Sequence, residues 1–193
     1  DVYKRQARKL LAAFGSPEAI WQQSPGTLKA VTSPRVAEAL SSQPAGWAEA
    51  LERLETWLES ADNRHLLALG DPNYPVDLLQ IQDPPVLLYV HGRLESLQQP
   101  LRLAIVGSRN PTPQGALNAR QFAHALGQAG VCVVSGLALG VDGAAHEGAL
   151  EAGAQTVAVV GTGLDRVYPS RHRDLAHRIA AQGALVSLSL IHI

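Results

Sequence analysis

The chain has little of what several protein classes require. Its 193 residues include one cysteine and no methionine, and only 5% of them are aromatic. The single Cys132 excludes a disulfide framework and a thiolate metal site within one chain, and is typical of a reducing compartment. No stretch approaches the roughly 18 consecutive apolar residues of a membrane span. We therefore expect neither a bound metal nor a membrane partner.

The ends of the chain give two further expectations. Without any methionine the first residue is not a translation start, so we expect a fragment of a longer protein. Residues 1–6 lack the features of a signal peptide. A hydrophobic content of 46% and a net charge of −1 are typical of a globular protein, and we expect it in the cytoplasm.

The near-neutral charge hides a difference between the two halves. Residues 1–100 carry nine Lys or Arg against twelve Asp or Glu, whereas residues 101–193 carry seven against five. All seven basic residues of the second half are arginine, and twelve of the seventeen glycines lie there. Only the second half therefore has a charge balance that favours an anionic ligand.

Residues 1–62 are predicted to form a small all-α domain. Apolar residues recur at three- and four-residue spacing between Ala7 and Leu58. Serine precedes proline at positions 16, 24 and 33, where it marks a helix start, and Gln43-Pro44 marks a further break. The domain holds all three tryptophans, for which we expect packing rather than base stacking: Trp21, Trp47 and Trp57.

The second half follows an ordered connector, residues 63–100, in which one strand is predicted at 86–90. Strands are then expected at 101–106, 131–134, 156–160 and from 184 onward, with helices at 114–129, 143–152 and 170–181. Strands that alternate with such helices indicate right-handed β-α-β units. Residues 101–193 are therefore predicted to form an α/β, Rossmann-like domain with a doubly wound parallel sheet covered on both faces.

Three glycine-rich loops follow the first three of these strands: the first loop (107–113), the second loop (135–142) and the third loop (161–165). The carboxyl ends of parallel strands meet at one edge of a sheet, so the loops predict one site. Glycines let backbone N–H groups approach a ligand, and each loop opens a helix whose first N–H groups are unpaired. Arg109 adds a planar set of donors, so phosphate is the expected group.

The usual nucleotide and catalytic motifs are absent. Arg166 stands where a third glycine would complete G-x-G-x-x-G, and no G-x-x-x-x-G-K-[ST] occurs. Ser135 lacks the G-x-S-x-G context of a nucleophile. Asp142 and His146 share a helix face, and we expect a local role for both, with Asp142 as a helix cap and His146 bonded to it or to a loop. No catalytic residue and no cofactor is expected, and Cys132 is predicted to lie in the core.

A fourth loop, residues 166–173, places arginines beside an aromatic ring on the same edge. Single-stranded nucleic acids are bound by this combination, with charge for the backbone and stacking for a base. Arg120 and Arg178, by contrast, are expected on solvated helix faces. The fourth loop thus favours single-stranded nucleic acid as the phosphate ligand.

The loops together resemble the DprA/Smf family, the DNA-processing proteins of bacterial natural transformation. The similar segments are 106–112 (VGSRNPT), 134–150 (VSGLALGVDGAAHEGAL) and 161–169 (GTGLDRVYP), and the resemblance spans roughly residues 66–187. The connector agrees through Tyr74-Pro75 and Asp83-Pro84-Pro85. The N-terminal part is similar to the family's small domain of SAM-like or helix-hairpin-helix type.

The resemblance implies a protein that is not an enzyme. It would bind and protect incoming single-stranded DNA, help to load RecA onto it, and form a homodimer as the full-length protein. The resemblance and the loops together assign phosphate binding to Gly107, Ser108, Arg109, Ser135, Gly136, Leu137, Ala138, Gly140, Gly161, Gly163 and Arg171. Supporting or base-contacting positions are Asp142, His146, Tyr168 and Arg173.

Some positions depart from the family pattern. His172 stands where the family usually has asparagine, and the basic residue often found directly after Tyr-Pro is Arg171 here, one position later. The family's Ser-Glu-x-Pro-x-Gly segment does not follow Ser187. We therefore expect residues 1–6 and 188–193 not to be native, and the rest of the domain, any winged-helix tail and much of the dimer interface to be missing.

One alternative is an enzyme. Nucleoside-monophosphate phosphoribohydrolases of the lysine-decarboxylase-like group have a related fold, with a Pro-Gly-Gly-x-Gly-Thr loop and a catalytic glutamate. The corresponding segment here is 160–163, which lacks that pattern. Nucleotide binding or phosphoribohydrolase activity is therefore the less favoured hypothesis.

Overall fold

The structure, a computed structural model, describes residues 2–42 and 45–189. Residue contacts divide the chain into a helical unit, residues 1–56 with 78–86, and a sheet unit, residues 57–77 with 87–193. The domain boundaries predicted after residues 62 and 100 stay predictions, because both units share the segment between them. The predicted break at Gln43-Pro44 and the last four residues of the chain lie outside the described residues.

The helical unit is built from short helices that begin at Ser-Pro pairs. Its helices are α1 (Val2–Phe14), α2 (Pro17–Trp21), α3 (Pro25–Val31), α4 (Pro34–Ala39) and α5 (Trp47–Glu59), the last extending into the sheet unit. The hydroxyls of Ser16, Ser24 and Ser33 each accept a backbone N–H of the following turn, which confirms the predicted helix starts. Leu10, Ile20, Leu28 and Ala37 form the core of the unit.

Other contacts within this unit involve charged and aromatic side chains. Asp83 accepts from Arg5 Nε at 3.1 Å and from Arg8 Nη1 at 2.6 Å, which joins segment 78–86 to α1. Trp21 and Trp47 meet edge to face with ring centroids 6.5 Å apart, and both remain about half exposed. Trp57, which belongs to the sheet unit, is buried. All three tryptophans are therefore in packed positions, Trp57 in the core and Trp21 with Trp47 half-buried against each other.

The sheet unit contains a six-stranded mixed sheet with helices between its parallel strands. In chain order the elements are β1 (Arg64–Ala68), β2 (Leu87–Gly92), β3 (Arg102–Ala104), α6 (Pro113–Gln128), β4 (Cys132–Ser135), α7 (Val141–Glu151), β5 (Thr156–Val160), α8 (Arg173–Gln182) and β6 (Ala184–Ser187). The strand order is β1-β2-β6-β5-β4-β3. Strands β3 to β6 are parallel to one another, and the β1–β2 hairpin is antiparallel to β6. The predicted α/β, Rossmann-like class is confirmed.

The topology differs from the prediction in two respects. The connector supplies two strands rather than one, and both pair antiparallel. The four parallel strands also follow each other across the sheet in chain order, so this part winds in one direction instead of outward from a central strand. Helices α6, α7 and α8 contact one another in sequence, as right-handed crossovers in one direction require.

The core of the sheet unit lies between the sheet and these helices. Val133 packs there with Ala123, Ala145 and Ala149. On β5 the hydroxyl of Thr156 contacts α7, whereas Val159 points to the other face and is 51% exposed. The described residues therefore cover one face of the sheet better than the other, contrary to the expectation of two covered faces.

Cys132 lies in the core, as predicted. It is 3% exposed, and burial raises the pKa of its thiol to about 11. The thiolate form is therefore disfavoured at neutral pH.

Among the helices described over residues 2–42 and 45–189, none combines the length and the apolar character needed to span a bilayer.

Candidate functional site

The three glycine-rich loops meet at one cavity of about 240 Å³, which we call the Arg109 cavity. It lies beyond the carboxyl ends of β4 and β5, where the geometry of a parallel sheet predicts a site. Its lining residues come from the first, second, third and fourth loops and from the end of β5: Arg109, Gly136, Ala138, Leu139, Val160, Gly161, Thr162, Tyr168 and Pro169.

The first and second loops are packed tightly against each other. The N–H of Val141 donates to the carbonyl of Ser108 at 3.1 Å. Gly140 has a φ of +86°, and a Cβ at this position would overlap the Ser108 carbonyl and lie 2.7 Å from Pro111 Cδ. A Cβ at Gly107 would likewise press on Val141. The glycines at 107 and 140 are thus explained by loop packing, independently of a ligand.

The second loop is stabilised from within. Asp142 is 7% exposed, and its carboxylate accepts the N–H of Ala138 at 3.3 Å. Its role is local, but it is not the predicted helix cap, because α7 begins after Gly140 without a side-chain cap and Asp142 lies within its first turn. Leu137 has a φ of 61° and turns its side chain into the core. The N–H of Gly143 donates to the Ala138 carbonyl at 3.2 Å. Two N–H groups at the start of α7, those of Val141 and Gly143, therefore already have partners, contrary to the expectation that the first N–H groups are free for an anion.

Ser135 and His146 do not face the cavity, which corrects their predicted roles. Ser135 is 3% exposed, and its hydroxyl donates to the Ile105 carbonyl at 2.6 Å. His146 is fully buried, with Nδ1 2.8 Å from the Thr156 hydroxyl rather than bonded to Asp142. The Thr156 hydroxyl donates its hydrogen to a carbonyl on β4, so Nδ1 of His146 is the donor. His146 is therefore a structural residue of the core.

Burial of His146 predicts a loss of stability in acid. Burial, with a smaller contribution from His172, lowers the pKa of His146 to about 3, against about 6.5 in an unfolded chain. The unfolded state therefore binds more protons below pH 6.5, and stability falls as the pH falls. Between pH 7 and pH 5 we expect His146 to remove about 2 kcal/mol from the free energy of unfolding.

Urea denaturation of the parent chain and of His146→Gln at both pH values measures this effect. The variant is less stable at each pH, but its loss between pH 7 and pH 5 is expected to be smaller by that amount. Equal losses in the two proteins would show that His146 does not titrate as its burial requires.

The seven arginines of residues 101–193 fall into two groups. Arg120 pairs with Glu151 and Arg178 with Glu147 on solvated helix faces, as predicted. Arg102 and Arg166 pair with Asp77 and Asp165. Arg109, Arg171 and Arg173 are exposed, and no carboxylate lies within 4.0 Å of them in the described part of the chain. Within residues 101–189 the arginines without a described carboxylate partner therefore lie in the first and fourth loops and at the start of α8, where their positive charge is available to a ligand.

The fourth loop contributes an aromatic ring to the cavity. Tyr168 is 65% exposed and lines the Arg109 cavity, so its ring face is accessible. His172 donates from Nδ1 to the Leu137 carbonyl at 2.9 Å, which fixes the fourth loop to the second. The sequence marked His172 only as a departure from a family pattern. Its anchoring role depends on a contact between residues 35 positions apart.

The predicted site residues are thus distributed unevenly. Arg109, Gly136, Ala138, Gly161 and Tyr168 are brought together at the cavity. Gly163 is buried, and Arg171 is exposed in the short turn before α8. Neither residue lines the Arg109 cavity. Arg173 lines a neighbouring cavity. Four residues line the Arg109 cavity without having been predicted, and only their places beside the glycines and Tyr168 could have indicated them: Leu139, Val160, Thr162 and Pro169.

Comparison with known proteins relates this arrangement to a family. A sequence model of DNA recombination-mediator protein A matches residues 65–192. Protein Smf of Synechocystis sp. is 44% identical over 128 residues, which are 65% of this chain and 32% of that protein. Protein Smf of Escherichia coli is 41% identical over 140 residues, 72% of this chain and 37% of that protein. The chain therefore spans about a third of the length of these relatives.

Solved structures are similar as well. The X-ray structure of DNA processing protein A from Streptococcus pneumoniae superimposes with a TM-score of 0.78 at 31% identity, over 97% of this chain and 63% of that one. A structure of the Helicobacter pylori protein, which concerns its single-stranded DNA binding mode, has a TM-score of 0.56 at 34% identity, over 64% of this chain and 55% of that one.

Proposed function

The chain belongs to the DNA recombination-mediator protein A family, and we propose that it binds single-stranded DNA at the Arg109 cavity. A backbone phosphate would be held by the Arg109 guanidinium, with a base stacked on Tyr168. The observation that carries this proposal is the position of Arg109. It is exposed, has no carboxylate partner among the described residues, and lies at a cavity shared with Gly161 and Tyr168.

Gly161 supports the proposal independently of Arg109. Beyond its chain neighbours, a Cβ at this position would meet no heavy atom within 4 Å, so the backbone is open to the cavity. A phosphate could therefore approach the peptide backbone here more closely than at a residue with a side chain. Arg171 and Arg173 would extend the positive charge along the strand.

The wider role that we propose follows the family resemblance. It consists of protection of incoming single strands and help in loading RecA onto them, in the cytoplasm, during natural transformation. It involves binding rather than catalysis, and the full-length protein would act as a homodimer. Related proteins named DNA processing protein A or Smf, and the single-stranded DNA binding mode of the Helicobacter pylori protein, support this wider role.

Salt dependence tests the electrostatic part of the proposal. With about three arginines on phosphates, the slope of log K against log salt concentration is expected near −2 for a single strand. The measurement is an electrophoretic or fluorescence titration with oligonucleotides of different sequences across a salt series. We expect no sequence preference and weaker binding to duplexes. Equal binding of duplex and single strand would contradict the proposed stacking on Tyr168.

The enzymatic alternative has less support from the cavity. No acidic side chain is among the described residues that line the Arg109 cavity, whereas the phosphoribohydrolase hypothesis needs a catalytic glutamate. Release of adenine from AMP by the purified protein would favour that alternative over DNA binding.

A further inference from the structure

A second cavity, of about 400 Å³, lies next to the Arg109 cavity in the sheet unit. We call it the histidine cavity, because His91 of β2 and His177 of α8 line it, together with Arg64 of β1 and Arg173 of α8. Its apolar wall includes Leu137, Ala176 and Leu185. It shares Val160, Thr162 and Tyr168 with the Arg109 cavity, so the two are adjacent.

Arg64 is positioned in this cavity by groups that leave its charge uncompensated. Its Nη1 donates to the Trp57 carbonyl at 3.2 Å and to the Ser60 hydroxyl, and its guanidinium stacks on the Trp57 ring at 5.3 Å. Its Nε is buried without a hydrogen-bond partner in the described part of the molecule. No carboxylate described in the structure lies within 4.0 Å of it. Arg64 thus keeps both a full charge and a spare donor.

The surroundings of His91 show that the cavity concentrates positive charge. Burial is the largest cause that lowers the pKa of His91 to about 4, and the nearby charges of Arg64, His177 and His65 contribute to the same shift in that order. Arg173 and Arg166 also line the cavity. The one acidic residue in the lining, Asp165, lies 3.5 Å from Arg166. Like charges gathered at a partly dry surface are destabilising, and a bound anion would offset this.

We propose that the histidine cavity binds a nucleotide, with its phosphate held by Arg64, His177 and Arg173 and its sugar or base against the apolar wall. Guanidinium and imidazole donors suit a phosphate, and sites for small ligands commonly have volumes of about 300 to 1,000 Å³. The nucleotide has two possible sources: a free nucleotide, or the next unit of a strand held at the Arg109 cavity. The second source rests on the proposed function.

Titration calorimetry with inorganic phosphate and with dTMP tests the proposal on the complete chain. Arg64→Gln and His177→Gln are each expected to weaken dTMP binding by ~10-fold or more, because each removes a charge-assisted contact. His177 is exposed, so its replacement leaves the fold intact even if Arg64→Gln disturbs the stacking on Trp57. His124→Gln on α6 is the matched control and should change nothing.

A third variant separates the outcomes. Arg109→Gln should leave dTMP binding to the histidine cavity unchanged while weakening oligonucleotide binding. If His177→Gln also weakens oligonucleotide binding, the occupant is a unit of the strand; if it weakens dTMP binding alone, the occupant is a free nucleotide. The proposal is overturned if millimolar phosphate and dTMP fail to bind, or if Arg109→Gln abolishes dTMP binding while His177→Gln does not. A parent chain that bound dTMP but no single-stranded oligonucleotide would contradict the proposed function and leave the histidine cavity as a site for a free nucleotide.

Discussion

Replacement of Arg109 by glutamine is expected to weaken binding of a single-stranded oligonucleotide by ~10- to 100-fold, because a hydrogen bond to a charged group contributes about 1.5 to 3 kcal/mol. The free energy of unfolding should change by less than about 0.5 kcal/mol, as is usual for a surface residue. Arg109 is exposed, and its guanidinium has no carboxylate partner within 4.0 Å in the described structure. Its removal therefore leaves no buried charge without a partner.

The matched control is Arg178→Gln, which removes the same charge from the same unit. Arg178 pairs with Glu147 at 2.7 Å on a helix face and lines neither the Arg109 cavity nor the histidine cavity. Its replacement should weaken binding much less than Arg109→Gln does. The slope of log K against log salt should also become shallower by about 0.7 in Arg109→Gln. If the two variants lost the same affinity, net charge rather than the cavity would account for binding.

The parallel part of the fold was predictable because its signals are local. The apolar runs of β4 and β5, and the glycines that follow them, mark a strand and its turn within a few residues. The convergence of the loops then follows from the geometry of a parallel sheet. Strand β1 gave no such signal. Its sequence, RHLLA, has no β-branched residue and two ionisable ones, and it becomes a strand by pairing with β2.

The errors at the site have a related cause. The predicted strand ended at residue 134, but β4 continues to Ser135, whose side chain points to the same face as the buried Val133. His146 follows Ala145 and precedes Ala149 on the buried side of α7, where its Nδ1 is hydrogen-bonded to Thr156 and its Nε2 is buried without a partner among the described residues. Ser135 points into the sheet's packed face because β4 is one residue longer than predicted, and His146 points into the core because of the orientation of α7. Neither side chain therefore reaches the edge of the sheet where the loops meet.

The histidine cavity could not have been predicted from sequence spacing. Arg64 and His91 face each other only because β1 and β2 pair antiparallel, and His177 reaches them from a helix more than eighty positions further along the chain. Residues 63–100, which were predicted to be an ordered connector with one strand, supply two basic residues of the histidine cavity, Arg64 and His91. Antiparallel pairing across a long loop leaves no periodic signal that a sequence could display.

Two glycines at the loop edge should respond to substitution in opposite ways. At Gly140 the φ is +86°, and a Cβ would overlap the backbone of the first loop. Gly140→Ala is therefore expected to lower the free energy of unfolding by ~3 kcal/mol, from left-handed strain together with displacement of that loop. At Gly161 a side chain has free space, and Gly161→Val should change stability by less than about 1 kcal/mol.

Substitution of Gly161 should affect oligonucleotide binding more than it affects stability. Valine there would fill part of a cavity of about 240 Å³ and keep a phosphate away from the backbone, so we expect oligonucleotide affinity to fall by ~10-fold or more. Gly161→Ala, with a smaller side chain, should lose less. Urea denaturation and oligonucleotide titration of all three variants separate the two roles. A stable Gly161→Val that bound as well as the parent chain would show that no phosphate approaches this backbone, and would leave Arg109 and Tyr168 as the contacts that the cavity offers.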